Sequence, residues 1–214
     1  PSSSNQDSFF IFSIHKSGST LLNNIFIDVC KKAKINFIDI EGTLFKYGYM
    51  PAHIVGDIST LIAKKGFCYL GFRSFWIGKN IDISDSKSIL LIRDPRDALV
   101  SHYFSYLYSH SIPKRGPISN TMAINRKNMI DKGIDDYVLQ PQLINSFKSV
   151  FINYEKLFLS KLTKVYRYED VVYYKYEWLE DMLNFLRIDI SANSFDKIVK
   201  KHDVFPKSEN PNSH

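Results

Sequence analysis

Three short stretches of the 214-residue chain hold residue types that handle anions, and each closes an apolar run. The first is His15-Lys16-Ser17-Gly18-Ser19-Thr20, behind Phe9-Phe10-Ile11-Phe12-Ser13-Ile14. A lysine, a glycine that lets backbone come close, and three hydroxyls at a helix start make a cradle for an anion. The second is Arg93-Asp94-Pro95-Arg96-Asp97, with Ser101 eight residues beyond Arg93. A guanidinium grips a phosphate through paired, charge-assisted hydrogen bonds, and a serine hydroxyl adds another. The third is Tyr168-Glu169-Asp170. By itself this triplet is explained equally well by a core tyrosine.

The elements that must position these residues follow from the hydrophobic pattern. Residues 1–8 (PSSSNQDS) read as a loose tail, and Phe9–Ile14 as a buried strand. Leu21, Leu22, Ile25, Phe26 and Val29 recur at helical spacing, which predicts a helix over Ser19–Lys34. Further strands are expected at Asn36–Ile40, Phe67–Phe72, Ser88–Ile92 and Thr163–Tyr168, with Glu41-Gly42 turning the chain and residues 43–52 irregular. Helices are expected over His53–Lys64, from Pro95 through Leu107, over Ser119–Lys132, over Asp135–Ser160 with an offset at Pro141, and over Tyr176–Leu186 and Ser194–Lys201. Asp94 suits an N-cap and Pro95 a first helical residue, so two turns return Ser101 to the face of the cap. Strands alternating with helices argue an α/β three-layer sandwich with a mostly parallel central sheet. Such sheets bind ligands at the carboxyl ends of their strands, where Lys16, Arg93 and Tyr168 all fall.

The first loop is not the triphosphate-binding pattern G-x-x-x-x-G-K-[ST], because Lys16 precedes Gly18 and no glycine stands five residues upstream of it. Lys-Ser-Gly-Ser-Thr-Leu-Leu after an apolar strand resembles instead the 5′-phosphosulfate loop of the sulfotransferases that use 3′-phosphoadenosine 5′-phosphosulfate (PAPS). The stretch I-R-D-P-R-D-x-x-V-S-x-Y-F resembles the 3′-phosphate site of the same family, with the same separation between Arg93 and Ser101. Tyr168-Glu169-Asp170 is similar to its third landmark, a strand-end tyrosine near the adenine. Ser194-Phe195-Asp196-Lys197 followed by Glu209-Asn210-Pro211-Asn212 resembles the approach to the family's basic nucleotide loop, which is expected beyond His214.

That resemblance covers most of the chain and implies the P-loop NTPase-like sulfotransferase fold, one domain over residues 1–214, and PAPS as donor with adenosine 3′,5′-bisphosphate (PAP) as product. It implies that Lys16 stabilises the bridging oxygen as the S–O bond breaks. It also implies that the Ser17–Thr20 backbone amides, with the Ser19 and Thr20 hydroxyls, hold the 5′-phosphate, Gly18 giving close approach. No metal is expected, since lysine and arginine carry the charge that magnesium supplies in kinases. The acceptor side matches no motif: Glu41 and His53, with Asp57 beside them, are the candidate catalytic bases, Arg73 is a candidate acceptor or sulfuryl contact, and His15 and His102 flank the nucleotide motifs.

Composition narrows the alternatives. Hydrophobic residues make up 44% and charged residues 23%, an ordinary soluble balance, and no apolar run approaches the roughly 20 residues that span a bilayer. The formal charge is +6 without a run of five basic residues, which favours a small polyanionic ligand over nucleic acid. Cys30 and Cys68 lack metal-ligand spacing and read as reduced, packed thiols in a cytoplasmic setting. The acceptor is expected to be a small molecule or carbohydrate bearing a hydroxyl or amine. Two rivals stand: a kinase-like enzyme recruiting Asp39 or Asp94 for magnesium, and a non-catalytic polyanion-binding scaffold. A serine hydrolase is excluded by the absence of a G-x-S-x-G elbow.

Overall fold

All five apolar runs become strands. A computed structural model, describing residues 5–56, 58–73, 83–130 and 133–203, joins β1 (Phe9–Ser13), β2 (Asn36–Asp39), β3 (Phe67–Phe72), β4 (Ser88–Ile92) and β5 (Thr163–Arg167) into one sheet. The order is β2-β3-β1-β4-β5 and every pairing is parallel. The chain leaves β1 toward β2 on one side and leaves β4 toward β5 on the other. The crevice beyond the carboxyl ends of β1 and β4 is therefore the topological switch point, where open parallel sheets take their ligands.

The helices between are α1 (Ser19–Ala33), α2 (Ile40–Lys46), α3 (Pro95–Phe104), α4 (Ile118–Ile130) and α5 (Ile134–Val138). They continue with α6 (Pro141–Asn153), α7 (Glu155–Phe158), α8 (Tyr168–Tyr173), α9 (Lys175–Leu186) and α10 (Ala192–His202). Successive β1 side chains point to opposite faces, which makes three layers. Phe9 and Ile11 pack with Leu22, Phe26, Leu179 and Met182 of α1 and α9, and α10 adds Ile198. Phe10 and Phe12 pack on the other face with Tyr69, Phe72, Tyr154 and Leu157. Phe10 lies 5.2 Å from the Tyr69 ring and Phe12 lies 5.1 Å from the Phe72 ring. Each such ring contributes about 1.5–3 kcal/mol by burial. Together they outweigh the roughly 1–2 kcal/mol that a left-handed Lys16 (φ 65°) costs just beyond them.

β3 carries a bulge. Phe10 pairs with Tyr69 but Phe12 pairs with Phe72, so β3 spends one residue more than β1. Gly71, at φ 88°, absorbs it, and a Cβ there would stand 1.9 Å from Asp39 Oδ1. A bulge turns the end of its strand, and the next two residues are Phe72 in the core and Arg73 at the crevice.

Four expectations need correction. Residues 5–8 are tied down: Asp7 bridges Lys65, the Ser8 amide donates to the Lys64 carbonyl, and Gln6 donates to the Leu186 carbonyl. Residues 1–4 lie outside the described residues. Glu41-Gly42 does not turn the chain away but forms the first turn of α2, because the Asp39 carboxylate accepts the Gly42 amide at 2.9 Å as its N-cap. His53–Lys64 is no helix but two 3-10 turns, Pro51–His53 and Ser59–Leu61. β-Branched residues and Gly56 weaken the helical state there, and the Tyr69 hydroxyl binds the loop backbone at Leu61 and Ala63. The long helix over Asp135–Ser160 is three pieces, α5, α6 and α7, the first break falling at Pro141 as expected from its missing amide.

Candidate active site

β1 delivers Lys16 to the crevice and β4 delivers Arg93. The loop between β1 and α1 is tight: the Ser17 amide donates to the Ile14 carbonyl at 3.0 Å, and Lys16 and Gly18 (φ 86°) are both left-handed. α1 begins at Ser19 with no side-chain cap. Its first amides, at Ser19, Thr20 and Leu21, have no intrahelical acceptor and face the positive end of the helix dipole. The Ser17 amide, one of the expected Ser17–Thr20 donors, is spent inside the loop. Ser19 is buried and its hydroxyl accepts the Arg73 Nε hydrogen bond at 3.2 Å, whereas Thr20 is exposed.

Arg93 binds the loop itself. Its Nη1 donates to the Lys16 carbonyl at 3.1 Å, and its guanidinium lies 4.5 Å from the Tyr168 ring centroid at the end of β5. The same ring touches Gly18, where a Cβ would come within 2.6 Å of it. Glu169 Oε1 accepts the Asp94 amide at 3.0 Å, tying the exits of β4 and β5. Lys16, Gly18, Arg93 and Tyr168, spread over about 150 residues of sequence, thus form one contact cluster at the switch point. Ser101 is half-buried on α3, two turns beyond the Asp94 cap.

Beside this cluster opens a cavity of about 440 Å³, whose lining includes Lys16, His15, Glu41, Arg73, His102 and His110. Glu41 is buried, not solvated as a loop residue would be, because α2 draws it inward. It is the one carboxylate among the described lining residues. His53 is not brought there: it is exposed, and its Nδ1 accepts the Met50 amide at 2.9 Å. Asp57 lies outside the described residues. His110 carried no signal in the sequence, since it sits beyond a π-helical turn, Ser105–Ser109, that periodicity does not foresee.

The electrostatics are those of a site short of negative charge. Burial, then Arg73 and Arg93, bring Lys16 down to about 8. Burial, then Lys16 and His110, bring His102 down to about 4; burial, then Lys16, Arg73 and Arg126, do the same for His110. Burial and the neighbouring His102, Arg73 and Lys16 hold His15 well below the ordinary imidazole range. Three neutral imidazoles therefore face a cluster of cations at neutral pH. The carboxylates that a magnesium enzyme would recruit are engaged elsewhere: Asp39 caps α2, and both Asp94 oxygens bind Arg96. Among the described residues no group of three acidic, histidine or cysteine side chains is arranged to hold a metal.

The model of the sulfotransferase domain family matches residues 76–214, well over half of the chain. The chain belongs to the sulfotransferase family. The match takes in Arg93, Ser101 and Tyr168, and the fold brings the Lys16 loop of this sulfotransferase to Arg93 and Tyr168. Among solved structures, mouse sulfotransferase SULT7A1 complexed with PAP is similar with a TM-score of 0.55 at 16% identity, over 94% of this chain and 65% of that one. Retinol dehydratase, in complex with androsterone and inactive cofactor PAP, gives 0.52 at 13% identity over 91% and 64%. A sulfotransferase from Alicyclobacillus acidocaldarius gives 0.50 at 13% identity over 92% and 91%. These likenesses are of fold, and the chain spans somewhat under two thirds of the first two proteins' length. No curated protein matches the sequence. Among the described residues no helix is long and apolar enough to cross a membrane.

Proposed function

We propose that this sulfotransferase moves the sulfuryl group of PAPS to a hydroxyl or amine of a small-molecule or carbohydrate acceptor held in the cavity. The observation that carries the proposal is the contact cluster at the switch point, where Arg93 grips the Lys16 loop and Tyr168 covers both. The residues fit such a donor. Ser17 Oγ and Arg93 Nε are buried without a hydrogen-bond partner in a cation-rich crevice, and a polyanion would supply acceptors to both.

The donor supplies the sulfuryl group and leaves as PAP. Lys16, protonated below pH about 8, places its charge where negative charge grows on the leaving oxygen. The first amides of α1, with the Ser17 and Ser19 hydroxyls, bind the 5′-phosphate, and Arg93 with Ser101 takes the 3′-phosphate. Tyr168 offers an aromatic face to the adenine. Glu41, buried in the same cavity as Lys16, accepts the acceptor's proton as its oxygen attacks. Arg73, joined to Ser19, adds charge beside the transferring group.

The test is PAP release from PAPS across a panel of phenols, alcohols and glycosides, with product identified by mass. We expect sulfated product from wild type. Lys16→Ala and Glu41→Gln should each turn over at least about 100-fold more slowly while PAP still binds. Turnover near that of wild type in both variants would refute these roles.

A further inference from the structure

The cavity at the active site does not end where its apolar walls end. A second chamber of about 400 Å³ adjoins it, and His102, Tyr106, Asn125 and Ser146 line both. The two chambers differ in chemistry. The inner chamber joins Lys16, Glu41 and Arg73 to apolar walls of Phe45, Met50, Ile118, Met122 and Val150. The outer chamber brings together Asn125, Asn128, Gln140 and Gln142 with Tyr106 and Tyr137, over a floor that includes Met129 and Leu143, and Asn125 is hydrogen-bonded to Tyr106.

No described residue of the outer chamber carries a formal charge, on a protein whose net charge is +6. Arg126 lies near but is committed to the His110 carbonyl and the Tyr106 ring, and does not line the chamber. Amides offer donors and acceptors at once, and tyrosine offers a face and a hydroxyl. That combination suits a neutral group with many hydroxyls. A carboxylate or sulfate placed there would gain no cation among the described lining residues.

The partition between the chambers is fixed. The His102 ring stacks on Tyr137 (6.0 Å, interplanar 6°) and on Tyr106 (5.7 Å, interplanar 24°), and its Nδ1 shares a 2.6 Å hydrogen bond with the Tyr137 hydroxyl. Burial and nearby cations keep this imidazole neutral at physiological pH, so the partition adds no charge to the outer chamber.

We infer that the acceptor is a neutral amphipathic molecule: an apolar body bearing the reacting hydroxyl sits in the inner chamber, and a hydroxyl-rich substituent, glycosyl or polyol, reaches past His102 into the outer chamber. The inference rests on the proposed sulfuryl transfer for which end reacts, and it selects among the acceptors that the proposal leaves open. It makes the outer chamber a specificity site and separates this protein from enzymes that sulfate anionic polymers.

Three matched phenols test it: 4-methoxyphenol, 4-hydroxyphenyl β-glucoside and 4-hydroxyphenyl β-glucuronide. Each has the same reacting hydroxyl, and they differ only at the far end. Calorimetric binding to the protein, free and saturated with PAP, should favour the glucoside over both others by about tenfold, the size of one or two well-made neutral hydrogen bonds. With PAPS, kcat/KM should follow the same order. In Gln142→Leu and Asn128→Leu the glucoside-to-methoxyphenol ratio should fall toward unity, with the melting temperature of the free protein as the check on folding. Equal binding of all three, no binding of the glucoside, or preference for the glucuronide would overturn the inference. Failure of PAP itself to bind would instead count against the proposed function, while glucoside binding to the free protein would still report on the chamber.

Discussion

Lys16 holds a left-handed backbone and a depressed ammonium at the same position, and both follow from where β1 ends. The short turn into α1 holds the backbone left-handed, and burial, then Arg73 and Arg93 at the ends of β3 and β4, depress the ammonium. An anion bound beside it restores its affinity for a proton. Binding of PAP should therefore take up a proton above pH about 8, and affinity should fall as pH rises through that value. Calorimetry in buffers of different ionisation enthalpy measures the uptake directly, and Lys16→Met should abolish it. For the free protein the sign is opposite. Between about 8 and 10.5 the unfolded chain holds more protons than the native one, so this lysine makes stability rise with pH across that window. A PAP affinity that stays flat from pH 7 to 9.5 would mean that Lys16 does not meet the ligand.

At the scale of elements, the site depends on three strand ends and one irregularity. The strands and the first helix were legible because their apolar runs are long and bounded, and the Asp94-Pro95 start of α3 carries its own cap chemistry. The cavity wall was not legible in the same way. α2 depends on Asp39 capping it while the carboxylate sits against Gly42 and Gly71, a contact between residues 32 apart in sequence. Nothing local in Glu41-Gly42 signals that Glu41 becomes buried. The bulge at Gly71, which sets the end of β3 at Arg73, is equally non-local. Gly71→Ala should destabilise the fold by about 1–3 kcal/mol, since it strains a φ of 88° and collides with Asp39. Denaturant unfolding measures the loss, and Gly71→Ala should cost less in an Asp39→Ala background, where the collision is cleared, than in wild type. Full stability in Gly71→Ala would contradict the account of the bulge. His110 was hidden for a different reason: the π-helical turn before it shifts the helix phase, so its arrival in the cavity follows no 3.6-residue pattern.

Over the whole molecule, the strand order β2-β3-β1-β4-β5 explains why two motifs about 75 residues apart lie in contact. β1 and β4 are neighbours whose connections diverge, so Lys16 and Arg93 face one crevice, and β5 adds Tyr168 from the far side of β4. The order of the three motifs was legible along the chain, but their contact was not, because nothing local reports which strands lie side by side. The central claim is that this crevice is a site for a 3′,5′-bisphosphorylated nucleotide that needs no metal. Titration of the protein with PAP, ADP and ATP, each with and without magnesium, tests it most directly. PAP alone should bind independently of magnesium and raise the melting temperature, a ligand at about 100 times its Kd adding roughly 2.7 kcal/mol, and Arg93→Ala should remove the effect. Magnesium-dependent binding of ATP with indifference to PAP would contradict the account.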